Sequence, residues 1–275
     1  MHATQNILGA IVSLWRYPVK SMMGEELNAA EVTSGGLLGD RAYALVDCAD
    51  GKIASAKNPK KWPQMFAFRA ALAGAPKIRE KIPPVVITLP DGKMVQSGQA
   101  GLEQILSRAL QREVQLKTTE HARGSVAESA SLDFESLEYG RTVTDFGLPE
   151  GTFFDGAILH LLTTATLARL AANYPLGRFE ARRFRPNIVV QAAQSEKDFP
   201  ENDWVGKTIA IGGAVRLSIT GPCQRCVMTT LAQGDLPKDP GILRAIAQHN
   251  DANAGVYAAV LRGGKVLRAD MLRME

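Results

Sequence analysis

Cysteine is scarce: three residues in 275, at positions 48, 223 and 226. An odd number with two close together makes no disulfide framework, so the expected setting is reducing and cytoplasmic. The four histidines are scattered. No second pair of nitrogen or sulfur ligands is at hand to complete a tetrahedral zinc site. Aromatics make up 6% of the chain, too few to interleave with a basic stripe as nucleic-acid surfaces require. No apolar run approaches the roughly 18 residues of a membrane span. The opening Met1-His2-Ala3-Thr4-Gln5-Asn6 lacks a basic region followed by an apolar one. Neither a membrane partner nor a signal peptide is therefore expected. There is also no GxxxxGK[ST] phosphate loop.

Excess charge is slight. Lys and Arg outnumber Asp and Glu by 32 to 28, a net +4. The basic residues concentrate at 57–61 and 178–185. That pattern suits a small anionic ligand better than nucleic acid, and no nucleic-acid partner is expected. Hydrophobic residues at 45% and charged ones at 22% are ordinary for a globular chain. The length allows one large domain or two small ones, with a real core.

Many short strands with glycine hairpins, and few helices, predict an α+β fold, mainly β, with a barrel. No βαβ alternation runs through the chain. Residues 7–19 read as a strand ended by Tyr17-Pro18-Val19-Lys20-Ser21. Lys20 and Ser21 then stand at its exit, where they could grip a ligand. Gly35-Gly36-Leu37-Leu38-Gly39-Asp40-Arg41 is a turn before a second strand, with Arg41 at the boundary. Helical spacing marks 101–110 and 242–248. Thr163 or Thr164 can cap a helix through Leu167 and Leu170. His160 lies in an apolar run and reads as a hydrogen-bonded core histidine. The polar stretch 118–151, with Asp133, Glu135 and Glu138, lacks periodicity and reads as an irregular connection or lid. Arg183, Arg185 and Asn187 alternate before Ile188. On one face of a strand they would converge, as a phosphate or an oxygen-rich heterocycle requires.

The richest stretch is Gly221-Pro222-Cys223-Gln224-Arg225-Cys226. Val215, Leu217 and Ile219 alternate with Arg216, Ser218 and Thr220 ahead of it, and Gly221-Pro222 reads as the break ending that strand. The CxxC admits several chemistries: a zinc half-site, a redox dithiol, a single soft-metal ligand, or buried apolar cysteines. Thioredoxin-type dithiols want a helix N-terminus in a βαβ setting, which is not present. A single reactive thiolate needs positive charge nearby, and Arg225 is adjacent.

Five segments in order carry a resemblance: Trp15-Arg16-Tyr17-Pro18-Val19-Lys20-Ser21, Gly39-Asp40-Arg41, Arg183-Phe184-Arg185-Pro186-Asn187-Ile188, Trp204 through Gly212, and Cys223 through Thr230. With Leu159-His160-Leu161-Leu162-Thr163 between them, the chain resembles the MOSC family, and within it the bacterial relatives of the amidoxime-reducing component. The resemblance covers about residues 7–271. It implies a β-rich N-terminal domain over 1–118 and a MOSC domain over 119–275, with molybdopterin held between. It implies that Cys226 ligates molybdenum and that Asp155 lies near the metal with a catalytic role. It further implies that Lys20, Ser21, Arg41, Arg183 or Arg185, and Asn187 hold the pterin and its phosphate. The implied activity is reduction of N-hydroxylated or N-oxide compounds, with electrons from a separate ferredoxin or reductase, since no cysteine follows Cys226 to bind an iron–sulfur cluster. A cofactor or sulfur carrier using a cysteine persulfide, and a metal-free dithiol oxidoreductase, are the alternatives. The family pattern places a small hydroxyl residue and a proline after the aspartate; here Gly156-Ala157-Ile158 follow Asp155.

Overall fold

The computed structural model describes residues 7–132, 139–193 and 198–275. Seven strands close into a barrel. In chain order they are β1 (Ile7–Arg16), β2 (Leu159–Thr163), β3 (Ile188–Ala192), β4 (Thr208–Ile211), β5 (Val215–Gln224), β6 (Asn253–Arg262) and β7 (Met271–Met274). Their spatial order is β3-β2-β6-β5-β4-β7-β1, and β1 pairs back onto β3. Six neighbouring pairs are antiparallel, and β2–β3 is parallel. A ring with an odd number of strands cannot alternate all the way round, so one parallel pair is obligatory. Parallel neighbours need a crossover. Helices α2 (Thr164–Asn173) and α3 (Ala181–Phe184) lie in it.

The inward positions are apolar. Ile11, Leu14, Leu159, Leu161, Ile188, Val190, Ile209, Ile211, Leu217, Ile219, Val256 and Leu272 form one core. The first strand thus belongs to the same sheet as strands almost 270 residues away, and the two halves of the sequence interlock. The intervening lobe has its own core around Leu45, Trp62, Phe66, Phe68, Ile87 and Leu106. It contains a three-stranded sheet (Arg69–Leu72, Val85–Thr88, Met94–Gln96), the pair Tyr43–Asp47 with Val114–Thr118, and α1 (Leu102–Leu110). No helix among the described residues is long and apolar enough to cross a membrane.

The helices lie where the spacing predicts. Thr163 caps α2 by accepting from the Thr166 amide at 3.1 Å, and α4 spans Gly241–Asn250. Three expectations change. Val126–Leu132 and Tyr139–Gly147 form an antiparallel ribbon, with Val126 opposite Gly147, rather than an irregular connection. Of the acids noted there, Asp133, Glu135 and Glu138 lie outside the described residues. Gly263-Gly264 reads as a hairpin turn joining residues 255–261 to 265–267, but Gly264–Leu267 pairs with Ala29–Thr33 and not with β6. Gly221 and Pro222 do not end β5: the strand runs to Gln224, with register irregularities between Ile219 and Gly221 and between Pro222 and Gln224. Bulges tolerate proline, because a locally unpaired residue needs no amide donor. Cys223 therefore lies inside the strand, and Cys226 lies just beyond it.

Candidate functional site

A cavity of about 760 Å³ opens where several chain segments leave or enter the barrel. Lys20 and Ser21 come from the exit of β1. Phe153–Ala157 precede β2, Phe184, Arg185 and Asn187 precede β3, Gln224 ends β5, and Arg225–Met228 follow it. Lys57 and Ala130 reach in from the N-terminal lobe and the ribbon. Such strand-end loops on a rigid sheet are where binding groups are best placed.

The backbone is strained on the cavity wall. Ser21, Arg41 and Arg185 have φ of 64°, 48° and 54°. The left-handed region is costly for a residue with a Cβ, and such residues persist where the surroundings over-determine them. At Ser21, the side-chain oxygen accepts the Ala56 amide at 3.0 Å. At Arg41, the guanidinium pairs with Asp40 and stacks on Tyr17 at 4.7 Å. At Arg185, the guanidinium stacks on Tyr17 at 4.2 Å and donates to the Met22 carbonyl. Buried Tyr17 is thus a platform for two cations, and its hydroxyl donates to the Pro186 carbonyl at 3.1 Å.

Charge in the cavity is one-sided. Among the described lining residues, Lys20, Arg41, Lys57, Arg185 and Arg225 face one carboxylate, Asp155. Asp155 bridges Lys20 and Lys57, the second at 3.0 Å. Burial alone would raise the Asp155 pKa, but the two ammonium groups outweigh it and hold the carboxyl well below its usual range. Burial pulls the Lys20 pKa down against Asp155, and Lys20 also donates to the Phe153 carbonyl at 2.9 Å. Burial, then Arg41, pulls Arg185 down to about 10, so it stays protonated at neutral pH. Buried cations in such excess are costly unless an anion joins them.

The two cysteines are not equivalent. Cys226 is half-buried and lines the cavity. Cys223 is fully buried, and its sulfur accepts from Arg225 Nη1 at 2.6 Å. Arg225 Nη2 donates to the Phe184 carbonyl at 2.7 Å, while its Nε is buried without a partner. His160 also faces the cavity. Its Nε2 lies 3.1 Å from the Ala254 carbonyl, and burial followed by the Arg225 charge pulls its pKa down to about 3, so the ring is neutral. That is the core histidine expected from its apolar run, now seen at a cavity wall.

Lys20, Ser21, Arg41, Asp155, Arg185, Asn187 and Cys226 are all brought to this cavity. Two of them have their polar atoms engaged elsewhere. Asn187 donates to Asp40 at 2.9 Å and to the Trp15 carbonyl at 3.3 Å, and accepts from the His160 amide at 3.1 Å. It ties the wall together. Ser21 keeps its hydroxyl proton for donation.

Arg183 is not on the wall. It belongs to α3, so Arg183, Arg185 and Asn187 do not share a strand face. Its buried guanidinium donates to the carbonyls of Arg178, Thr229, Leu231 and Pro237. Arg185, with left-handed backbone, lines the cavity instead. Sequence reading also missed Lys57 as a site residue. Its basic cluster was visible, but only the fold brings it to Asp155.

Among the described residues, no group of three His, Cys, Asp or Glu could hold a metal. Cys226 is the cavity thiol that could ligate a metal whose other ligands came from a multidentate group. The soft cysteine sulfur, the cationic wall and the orphaned Arg225 Nε fit an anionic, sulfur-rich metal cofactor in chemistry and sign.

Mitochondrial amidoxime reducing component 2 of Macaca fascicularis is 27% identical over 237 residues, 82% of this chain and 67% of that protein. The protein of the same name from Bos taurus is 25% identical over 244 residues, with the same coverage. The crystal structure of YuaD from Bacillus subtilis superposes with a TM-score of 0.48 at 13% identity, covering 97% of this chain and 94% of that one. YiiM from Geobacillus stearothermophilus gives 0.33 at 19% identity, over 55% and 73%. The family model of the MOSC N-terminal beta barrel domain matches residues 8–130, and that of the MOSC domain matches 149–273. With both models matched in sequence order, the chain belongs to the MOSC family.

Proposed function

We propose that the chain is a molybdenum-cofactor-binding oxidoreductase that reduces N-hydroxylated or N-oxide compounds, with electrons from a separate ferredoxin or reductase. One observation carries the reading: a half-buried thiol, Cys226, opens onto a cavity walled by five cations. The name of the amidoxime reducing relatives supplies the substrate class. When bound, the cofactor would supply the two-electron exchange and accept oxygen from the substrate. Overall, an N–OH group, two electrons and two protons give N–H and water.

In this reading Cys226 holds the metal. Lys20, Ser21, Arg41 and Arg185 hold the pterin and its phosphate, with Asn187 fixing the wall between them. Arg183 has no direct contact with the group. Asp155 is ionised at neutral pH, so it accepts hydrogen bonds and balances charge and does not donate protons. The protons come from solvent.

The test is expression in a cofactor-competent host, followed by metal analysis. Parent and Cys223→Ala should carry stoichiometric molybdenum, and Cys226→Ala none. Equal metal in Cys226→Ala would overturn the ligand assignment. A metal-loaded protein that fails to reduce amidoximes and N-oxides with a chemical reductant would instead be a cofactor or sulfur carrier.

A further inference from the structure

We propose that Arg183 is a positioning residue for Cys226: a buried cation that fixes the peptide segment presenting the thiol to the cavity. The segment leaves β5 and turns at once. Cys226 is the N-cap of a 3₁₀ turn at Val227–Thr230, with no side-chain capping bond. From within it is held by short local bonds: the Thr229 amide and hydroxyl donate to the Cys226 carbonyl at 3.1 and 3.0 Å, and the Thr230 hydroxyl donates to the Val227 carbonyl at 2.8 Å. A four-residue 3₁₀ turn is weak on its own.

Arg183 supplies the external brace. Nη1 donates to the Thr229 and Leu231 carbonyls at 3.3 and 3.1 Å, Nη2 to Pro237 at 2.8 Å, and Nε to Arg178 at 2.8 Å. The same Thr229 that grips the Cys226 carbonyl is thus gripped from behind. Buried Gln233 adds a second strap, donating to the Met228 carbonyl at 3.2 Å and to the Arg183 carbonyl at 3.4 Å. No carboxylate contacts the guanidinium among these bonds. Its charge is satisfied by four backbone carbonyls, which a planar fork of five donors can reach and an ammonium cannot.

The inference deepens the proposed function, since it matters only if Cys226 acts. Its test is independent of metal. In metal-free Cys48→Ser protein, alkylation by iodoacetamide reports Cys226, because Cys223 is buried. Arg183→Ala should raise the alkylation rate about tenfold as the segment opens locally. Millimolar guanidinium should restore the slow rate by refilling the vacated site, and ammonium should not. Arg183→Lys, which keeps charge and most of the volume, guards against a failure to fold and should remain fast. Leu272→Ala, a truncation in the barrel core on β7, whose cluster holds no residue of the segment, should lower stability without speeding alkylation. Alkylation equally fast in Leu272→Ala, or parent-like in both Arg183 variants, would overturn the proposal. Failure of the metal reading would show separately, as absent molybdenum in a protein whose Cys226 is correctly held.

Discussion

Removing the carboxylate that bridges two lysines tests the charge balance of the cavity most directly. Asp155→Asn keeps the shape and deletes one charge, leaving Lys20 and Lys57 without their shared partner. Losing one member of a fully buried pair costs about 3–5 kcal/mol. The Asp155 side chain is 33% exposed, and screening reduces the expected cost to roughly 2 kcal/mol. The pH dependence has a definite sign. The folded carboxyl ionises below the unfolded value of about 3.9, so its contribution is fully present above that pH and fades as acid approaches the folded value. Urea unfolding in low salt should therefore show the variant less stable by roughly 2 kcal/mol at pH 7, with the gap closing below about pH 4. Inorganic pyrophosphate adds a second arm. In the variant the freed lysines meet the anion with no competing carboxylate, so pyrophosphate should stabilise the variant more than the parent. A variant as stable as the parent at pH 7, or pyrophosphate stabilising both alike, would refute the charge argument.

Other perturbations probe different parts. His160 is held neutral in the fold, so unfolding takes up close to one proton between its folded value of about 3 and the unfolded value of about 6.5. Stability should fall with acid across that window, and His160→Gln should flatten the slope. Thr163→Ala removes the α2 cap and the hydroxyl that donates to buried Glu201 at 2.6 Å; chemical denaturation should show a loss of about 2–3 kcal/mol. Gly255 has φ +85°, and a Cβ there would fall on His160 Nε2 and the Leu161 carbonyl, so Gly255→Ala should lower the thermal midpoint and perturb the His160 ring resonances by NMR.

Much of the barrel was legible in the sequence, because alternation along a half-buried strand is a local property. Val215, Leu217 and Ile219 announce their strand, and the capping chemistry of Thr163 announces α2. The cysteine stretch was harder. Pro222 normally ends a strand, but a bulge, invisible to periodicity, lets β5 continue past it. Arg183 and Arg185 were misread together, because a short helix and a left-handed residue separate two side chains that simple alternation would align. Lys57 and Asp155 lie almost a hundred residues apart, and no local pattern reports a pairing that only tertiary folding makes. The asymmetry of the cysteines likewise follows from position: Cys223 inside the sheet meets Arg225, and Cys226 outside it meets the cavity.

The parity of the barrel has a consequence for how this chain can be shortened or redesigned. Seven strands oblige one connection to travel the full height of the ring, from the end of β2 at Thr163 back to the start of β3 at Ile188. That stretch cannot be trimmed to a tight turn without changing the strand count. The return path brings Arg183, Arg185 and Asn187 to the barrel mouth, beside the segment that follows β5. An eight-stranded relative with every neighbour antiparallel would have no such detour, and would need another way to bring two arginines to a cysteine.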